Sequence, residues 1–174
     1  MQLTITALGN KSTHFIAEIL ATISNCQCNV LDLKASNLAQ STAIYLLIDG
    51  DWNHIAKVET LLENLKNQLE IHINSIRPES NTKKSNSIPY SLETISIDRH
   101  NVLEDIANFL YDREICIEEI NASSYPAPYI QTLVFSTKFI ILIPPQVRLL
   151  MLREEFLDFC DTLNIDAIIE PIKR

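Results

Sequence analysis

The chain has 174 residues, 47% of them apolar, and a formal net charge of −8. That length fits one ordinary domain or two small ones, and the acidic balance argues against a phosphate-tracking surface, because nucleic-acid binders carry a basic footprint. The two glycines, Gly9 and Gly50, stand too far apart for a dinucleotide fingerprint or a P-loop, which need several within a few residues so that backbone amides approach phosphate.

In chain order, Leu3, Ile5 and Ala7 alternate with Thr4 and Thr6 and predict a strand ending at Gly9. From Thr13 the period changes: Phe15, Ile16, Ile19, Leu20 and Ile23 recur at helical spacing to about Asn25. Val30, Leu33 and Ala35 lead a second strand. After a polar break from Leu38 to Thr42, the run from Ala43 to Ile48 suits a strand buried between layers. Asp51 is placed to cap a helix whose apolar face is Ile55, Val58, Leu61, Leu62, Leu65 and Leu69, and Ile71, Ile73 and Ile76 make a last short strand.

The same βαββαβ order returns in the second half. Thr94, Ile95 and Ile97 open it, Val102, Leu103, Ile106, Phe109 and Leu110 lie on its first helix, and Ile117 and Ile120 carry its second strand. Tyr129 to Ile143 supplies a third strand, Leu149, Leu152, Phe156, Phe159 and Leu163 face inward from a second helix, and Ala167, Ile168 and Ile169 close the unit. Asn29 to Ser36 aligns with Cys116 to Ser123, ending Ala35-Ser36 and Ala122-Ser123. The polar stretch 79–89 between Pro78 and Pro89 reads as a linker, so the expected organisation is a domain over 1–78, a linker over 79–89 and a domain over 90–174. The predicted class is α+β, two ferredoxin-like modules, each a four-stranded antiparallel sheet with two helices on one face. The other sheet face is expected to be partly apolar and, like an exposed edge strand, to pair with a second copy, inside the chain or in a homodimer.

Two modules of this order resemble a pair of ACT domains, regulatory modules that commonly sense amino acids. The segments Ile5-Thr6-Ala7-Leu8-Gly9, Asn25-Cys26-Gln27-Cys28-Asn29 and Gly50-Asp51-Trp52-Asn53 further resemble a proteobacterial family of glycine cleavage repressors. The resemblance implies a cytoplasmic negative regulator that acts through a DNA-binding transcriptional activator rather than touching nucleic acid, with glycine or another amino acid as modulator. It also implies a ligand turn after the first strand, here Gly9, Asn10, Lys11, Ser12, Thr13 and His14. ACT turns that bind amino acids carry an Asp-Arg-Pro-Gly type sequence; this one has His14 where the glycine would be, which crowds a carboxylate held by backbone amides. The alternative is a ligand-independent ACT-type interaction or dimerisation module. The second module has Asp98-Arg99-His100-Asn101 at the matching turn, again without glycine.

Other candidates have ordinary explanations beside the specialised ones. Cys26 and Cys28 form a Cys-x-Cys that could offer two thiolates to a metal, but no second cluster accompanies them, and packing beneath a helix end accounts for them better. Trp52 suits a partner-binding anchor or burial at a helix start. Tyr125 to Tyr129, with Pro126 and Pro128, reads as a stiff hairpin connection. Glu118 and Glu119, neighbours on a strand, are expected on opposite faces and so not as a carboxylate pair. No nucleophile elbow or zinc-protease motif occurs, so no catalytic residue, metal or cofactor is expected. The four cysteines read as reduced thiols, and with no leader-like N-terminus and no apolar run of about 18 residues the chain is expected in the cytoplasm, off the membrane.

Overall fold

The alternation of Leu3, Ile5 and Ala7 produces β1 (Gln2–Asn10), with those three side chains buried and Leu8 on the outer face. The computed structural model describes residues 1–10, 14–78, 87–97, 101–127 and 132–172. In chain order β1 is followed by α1 (His14–Asn25), β2 (Asn29–Leu38), β3 (Ser41–Asp49), α2 (Trp52–Leu69) and β4 (His72–Ile76). These form an antiparallel sheet ordered β2-β3-β1-β4. Helical spacing puts Phe15, Ile19 and Ile23 of α1 and Ile55, Val58, Leu62 and Leu65 of α2 into one core with the inward strand residues.

The second unit repeats the plan with β5 (Ile88–Ile97), α3 (Val102–Tyr111), β6 (Cys116–Pro126), β7 (Leu133–Ile143), α4 (Leu149–Thr162) and β8 (Asp166–Pro171). Its sheet is ordered β6-β7-β5-β8. Phe139, Ile141, Leu92, Ile106 and Phe156 are at its centre. The chain divides into compact units over Met1–Thr82 and Lys83–Arg174. Among the described residues no helix is long and apolar enough to cross a membrane.

Several sequence expectations shift. The polar break from Leu38 to Thr42 is a two-residue turn at Ala39-Gln40: β2 runs through Leu38, which pairs with Ser41, and Ala39 takes a positive φ of 52°. The last two residues of the expected linker, Ile88 and Pro89, are already in β5, opposite Ile143 and Leu142. In β5 the inward residues are Leu92, Thr94 and Ser96, while Ile95 and Ile97 point outward and are exposed. Pro126 ends β6 opposite Leu133, on an edge strand where the ladder loses nothing by its missing N–H. Pro128, Tyr129 and the start of the expected third strand lie outside the described residues. The strict alternation assumed for Glu118 and Glu119 is interrupted, because β6 bulges between Ile117 and Glu119, as β2 does between Val30 and Asp32. Glu118 is exposed, and Glu119 accepts a hydrogen bond from Asn121 at 2.7 Å.

Among the described residues, the four helices all end in one device. Gln27, Glu70, Glu114 and Asn164 take positive φ of 52–58°. The next residues, Cys28, Ile71, Ile115 and Ile165, are buried and donate their N–H to the carbonyls of Ile23, Lys66, Leu110 and Cys160. This is the Schellman arrangement, which satisfies a terminal carbonyl and turns the chain straight into the following strand. Glycine is the usual residue at the left-handed position; an L-side chain there costs about 1–2 kcal/mol, partly offset by the greater unfolded-state entropy of glycine. Glu70→Gly and Glu114→Gly are each expected to stabilise their module by roughly 0.5–1 kcal/mol in urea unfolding. Loss of stability in both would show that these side chains make contacts worth more than the strain.

Candidate functional site

The ligand turn expected from the sequence begins where β1 runs out. Gly9 pairs with Thr42 and Asn10 with Ser41 on β3, and His14 opens α1 with its side chain exposed. Lys11, Ser12 and Thr13 lie outside the described residues. Gly9 has no positive φ, so its role is spatial. A Cβ there would stand 2.7 Å from Ile71 Cγ2 and 3.2 Å from Phe15 Cε1, two buried side chains of the core. The first helical amides of α1 have no partners within the helix, which makes this end favourable for an anion.

Beside Gly9 sits a polar pair absent from the sequence expectations. Thr42 is buried and its Oγ1 donates to Asn37 Oδ1 at 2.6 Å across the β2–β3 hairpin. Counting back by twos from the inward Ile48, Leu46 and Ile44 places Thr42 on the inward face, so alternation alone contained this signal.

Two family segments touch at the opposite end of the sheet. Cys26 and Cys28 are both buried, and Cys28 Sγ is 3.7 Å from the Cys26 carbonyl. A Cβ on Gly50 would lie 2.7 Å from Cys28 Sγ, so Gly50 is small to let the chain pass over the thiol. Burial, reinforced by Cys26 and Asp49, pushes the Cys28 thiol above its ordinary value and holds it protonated, the wrong state for a metal ligand. Among the described residues no group of three His, Cys, Asp or Glu side chains is arranged to hold a metal. Asp51 occupies the N-cap position of α2 with extended backbone, but its side chain makes no capping hydrogen bond. Trp52, for which burial and exposure were both open, is 62% exposed.

The second module differs at the matching strand end. Asp98, Arg99 and His100 lie outside the described residues, and Asn101 precedes α3 with φ 74°. Where the first module has Ala7 and Gly9 inward, two and four residues past buried Ile5, the second has Thr94 and Ser96, two and four past buried Leu92. Thr94 and Thr137 share a 2.7 Å hydroxyl hydrogen bond, and the buried Ser96 Oγ has no partner among the described residues. Removing one partner of a buried pair strands the other. Thr137→Val is therefore expected to cost about 1–3 kcal/mol, while Thr94→Val with Thr137→Val is close to neutral. A double variant as unstable as the single one in a mutant cycle would deny the pairing its role.

Cys160, buried on α4, has its thiol pushed up to about 12 by desolvation, with Asp161 adding to it. The folded value lies above the ordinary 9.0, so its contribution to stability is intact below pH 9.0 and is lost as pH rises toward about 12. Cys160→Ala is expected to flatten the alkaline fall in stability across that window; an unchanged fall would mean that other groups cause it.

The ACT domain family model matches residues 1–75, which span the first module from β1 almost to the end of β4. The first module is similar to ACT domains over nearly its whole length. The second module repeats the sheet order of the first, strand for strand. Over 170 residues, the chain is 21% identical to the glycine cleavage system transcriptional repressor of Escherichia coli (strain K12), covering 98% of this chain and 90% of that protein. The same values hold for the repressor of Shigella flexneri. Among solved structures, one assigned to the glycine cleavage system transcriptional repressors superposes with a TM-score of 0.77 at 21% identity, covering 99% of this chain and 98% of the other. A protein from Galdieria sulphuraria superposes with a TM-score of 0.78 at 15% identity and the same coverage. These superpositions establish a shared fold of two βαββαβ modules.

Proposed function

We propose that this tandem ACT protein is a regulator rather than an enzyme: it represses transcription of glycine cleavage genes by contacting a DNA-binding activator, and glycine or another amino acid modulates that contact. The observation that carries the reading is the reach of the match to the Escherichia coli repressor, which runs through both modules instead of stopping at the ACT domain. The net charge of −8 accords with action through a protein rather than on DNA, and a cytoplasmic setting accords with both. Exposed Trp52, the residue after Asp51 in one of the family segments, offers an aromatic anchor to such a partner. The test is recovery of the tagged full-length chain from its native cell with and without glycine. A DNA-binding regulator that co-purifies and is released by glycine supports the proposal; a chain that recovers no regulator, or that shifts promoter DNA by itself, contradicts it.

A ligand-independent interaction module is favoured by one observation, the imidazole of His14 at the position where amino-acid-binding turns have glycine. Calorimetry with glycine and serine separates the readings. Heat at millimolar ligand, lost on substitution of Asn10, supports sensing; no heat together with unchanged partner affinity in His14→Gly supports the ligand-independent module.

A further inference from the structure

Helices α3 and α4 stand apart, where α1 and α2 of the first module pack closely, and the rings of Phe109, Phe156 and Phe159 fill the space between them. The outer side of that joint is a groove of about 640 Å³. Its walls are matching helical faces, with Asp105, Phe109 and Asp112 along α3 and its end, and Glu155, Asp158 and Phe159 along α4. Two of its carboxylates are poorly placed for stability. Asp112 is the C-cap of α3 and Asp158 stands one turn from the end of α4, each toward the negative pole of its helix, and neither helix has a basic residue in its last turn. In the first module α2 carries Lys66 there. Among the described residues neither Asp112 nor Asp158 is ion-paired.

The groove already holds one cation of its own, and the setting shows which kind it suits. The Arg113 guanidinium lies over the Phe109 ring, 3.6 Å from its centroid, while Nε donates to Glu155 Oε2 and Nη1 to the Phe109 carbonyl, both at 3.0 Å. Phe159 stacks on Phe109 and is only partly buried, so one ring of the stack is left accessible beside Asp158. A guanidinium can stack on a ring and bond a carboxylate at once; an ammonium has no flat face to do so. We propose that this groove docks an arginine-bearing helical segment of a partner protein, whose guanidinium groups pair with Asp158 and Asp112 and stack on Phe159. A cleft between two helices seats a third by ridges into grooves, and α3, 10 residues and about 15 Å long, matches a segment of about three turns. The net charge of −8 draws a basic segment toward the chain, and the groove selects among such segments. The inference concerns the chemistry of the bound segment and stands whether or not the partner is a transcriptional activator.

Calorimetric titration of the full chain at about 0.15 M salt, with a synthetic helical peptide of about 14 residues that carries arginines on both sides of a leucine stripe, tests it. The arginine peptide should bind in the micromolar range, and the same peptide with lysine for every arginine should bind about threefold or more weakly. Asp112→Lys and Asp158→Lys should each raise the dissociation constant by about tenfold or more, because each turns an attraction into a repulsion. Both variants should keep or raise the unfolding midpoint, since a lysine near a helix C-terminus complements the dipole, so lost binding is not lost folding. Glu170→Lys is the control: it makes the same change of charge at an exposed strand position, next to the buried Ile169 and therefore on the helix-free face, and should alter binding by less than about twofold. The proposal is overturned if the arginine peptide does not bind at millimolar concentration, if Glu170→Lys weakens binding as much as Asp158→Lys, the pattern of attraction by net charge alone, or if the lysine peptide binds as tightly as the arginine one.

Discussion

Phe156→Ala is expected to destabilise the second module by about 3–5 kcal/mol, the range for truncating a fully buried aromatic. Phe156 has no exposed surface and meets Phe109 edge to face, with ring centroids 5.2 Å apart and an interplanar angle of 65°. Phe109 also stacks on Phe159 at 4.9 Å, so the three rings form the joint between α3 and α4. Truncation leaves a cavity that rigid neighbours fill only partly, and the loss is a large share of the roughly 5–15 kcal/mol that holds a domain folded. The chain divides into units over Met1–Thr82 and Lys83–Arg174, and we propose that they unfold separately. Amide exchange in denaturant should then show α3, α4 and β5–β8 opening early while α1, α2 and β1–β4 keep their native protection. Equal loss of protection in both halves would contradict separate modules.

Gly9→Val is expected to cost the first module about 3 kcal/mol or more, beyond the usual range for an over-packed core site. The first added carbon already stands 2.7 Å from Ile71 Cγ2, and valine adds two methyls toward the buried Phe15. Backbone strain contributes nothing, because Gly9 has no positive φ. The cost is purely one of space, so shrinking the neighbour should relieve it: Ile71→Ala in the Gly9→Val background should recover part of the loss, a coupling that urea unfolding of the four chains in the cycle measures. No coupling would mean that Ile71 is not what the new side chain strikes. The result also separates two roles for the first glycine of the family segments, since a packing glycine fails in stability before any ligand is added.

The architecture was legible wherever one period ran undisturbed. Leu3, Ile5 and Ala7, the strand core from Ile44 to Ile48, and the apolar faces of all four helices were placed correctly because burial of one face is the dominant favourable term and imposes its period on the residues. The helix ends at Asn25 and Leu69 were legible from the change of period, but the device that makes them was not. The signal for an end is glycine, and here Gln27, Glu70, Glu114 and Asn164 perform that turn without it. From sequence the β2–β3 hairpin looks like a polar break, because Ala39 and Gln40 make a turn with none of the usual Asn-Gly chemistry. In β5 the polar Thr94 and Ser96 went inward and Ile95 and Ile97 outward, the reverse of what side-chain polarity suggests, because the buried Leu92 sets the parity of the strand. At the candidate site, Gly9 was legible as a residue that matters but not as one held against Phe15 and Ile71, since both contacts come from other elements of the fold.

The proposal that this two-module protein lowers expression of glycine cleavage genes is tested most directly by measuring those transcripts in the native cell with and without its gene, in the absence of added glycine. Several-fold higher transcript is expected in the deletion strain, with a return to the native level when the full chain is supplied again. Transcript unchanged by deletion would contradict it.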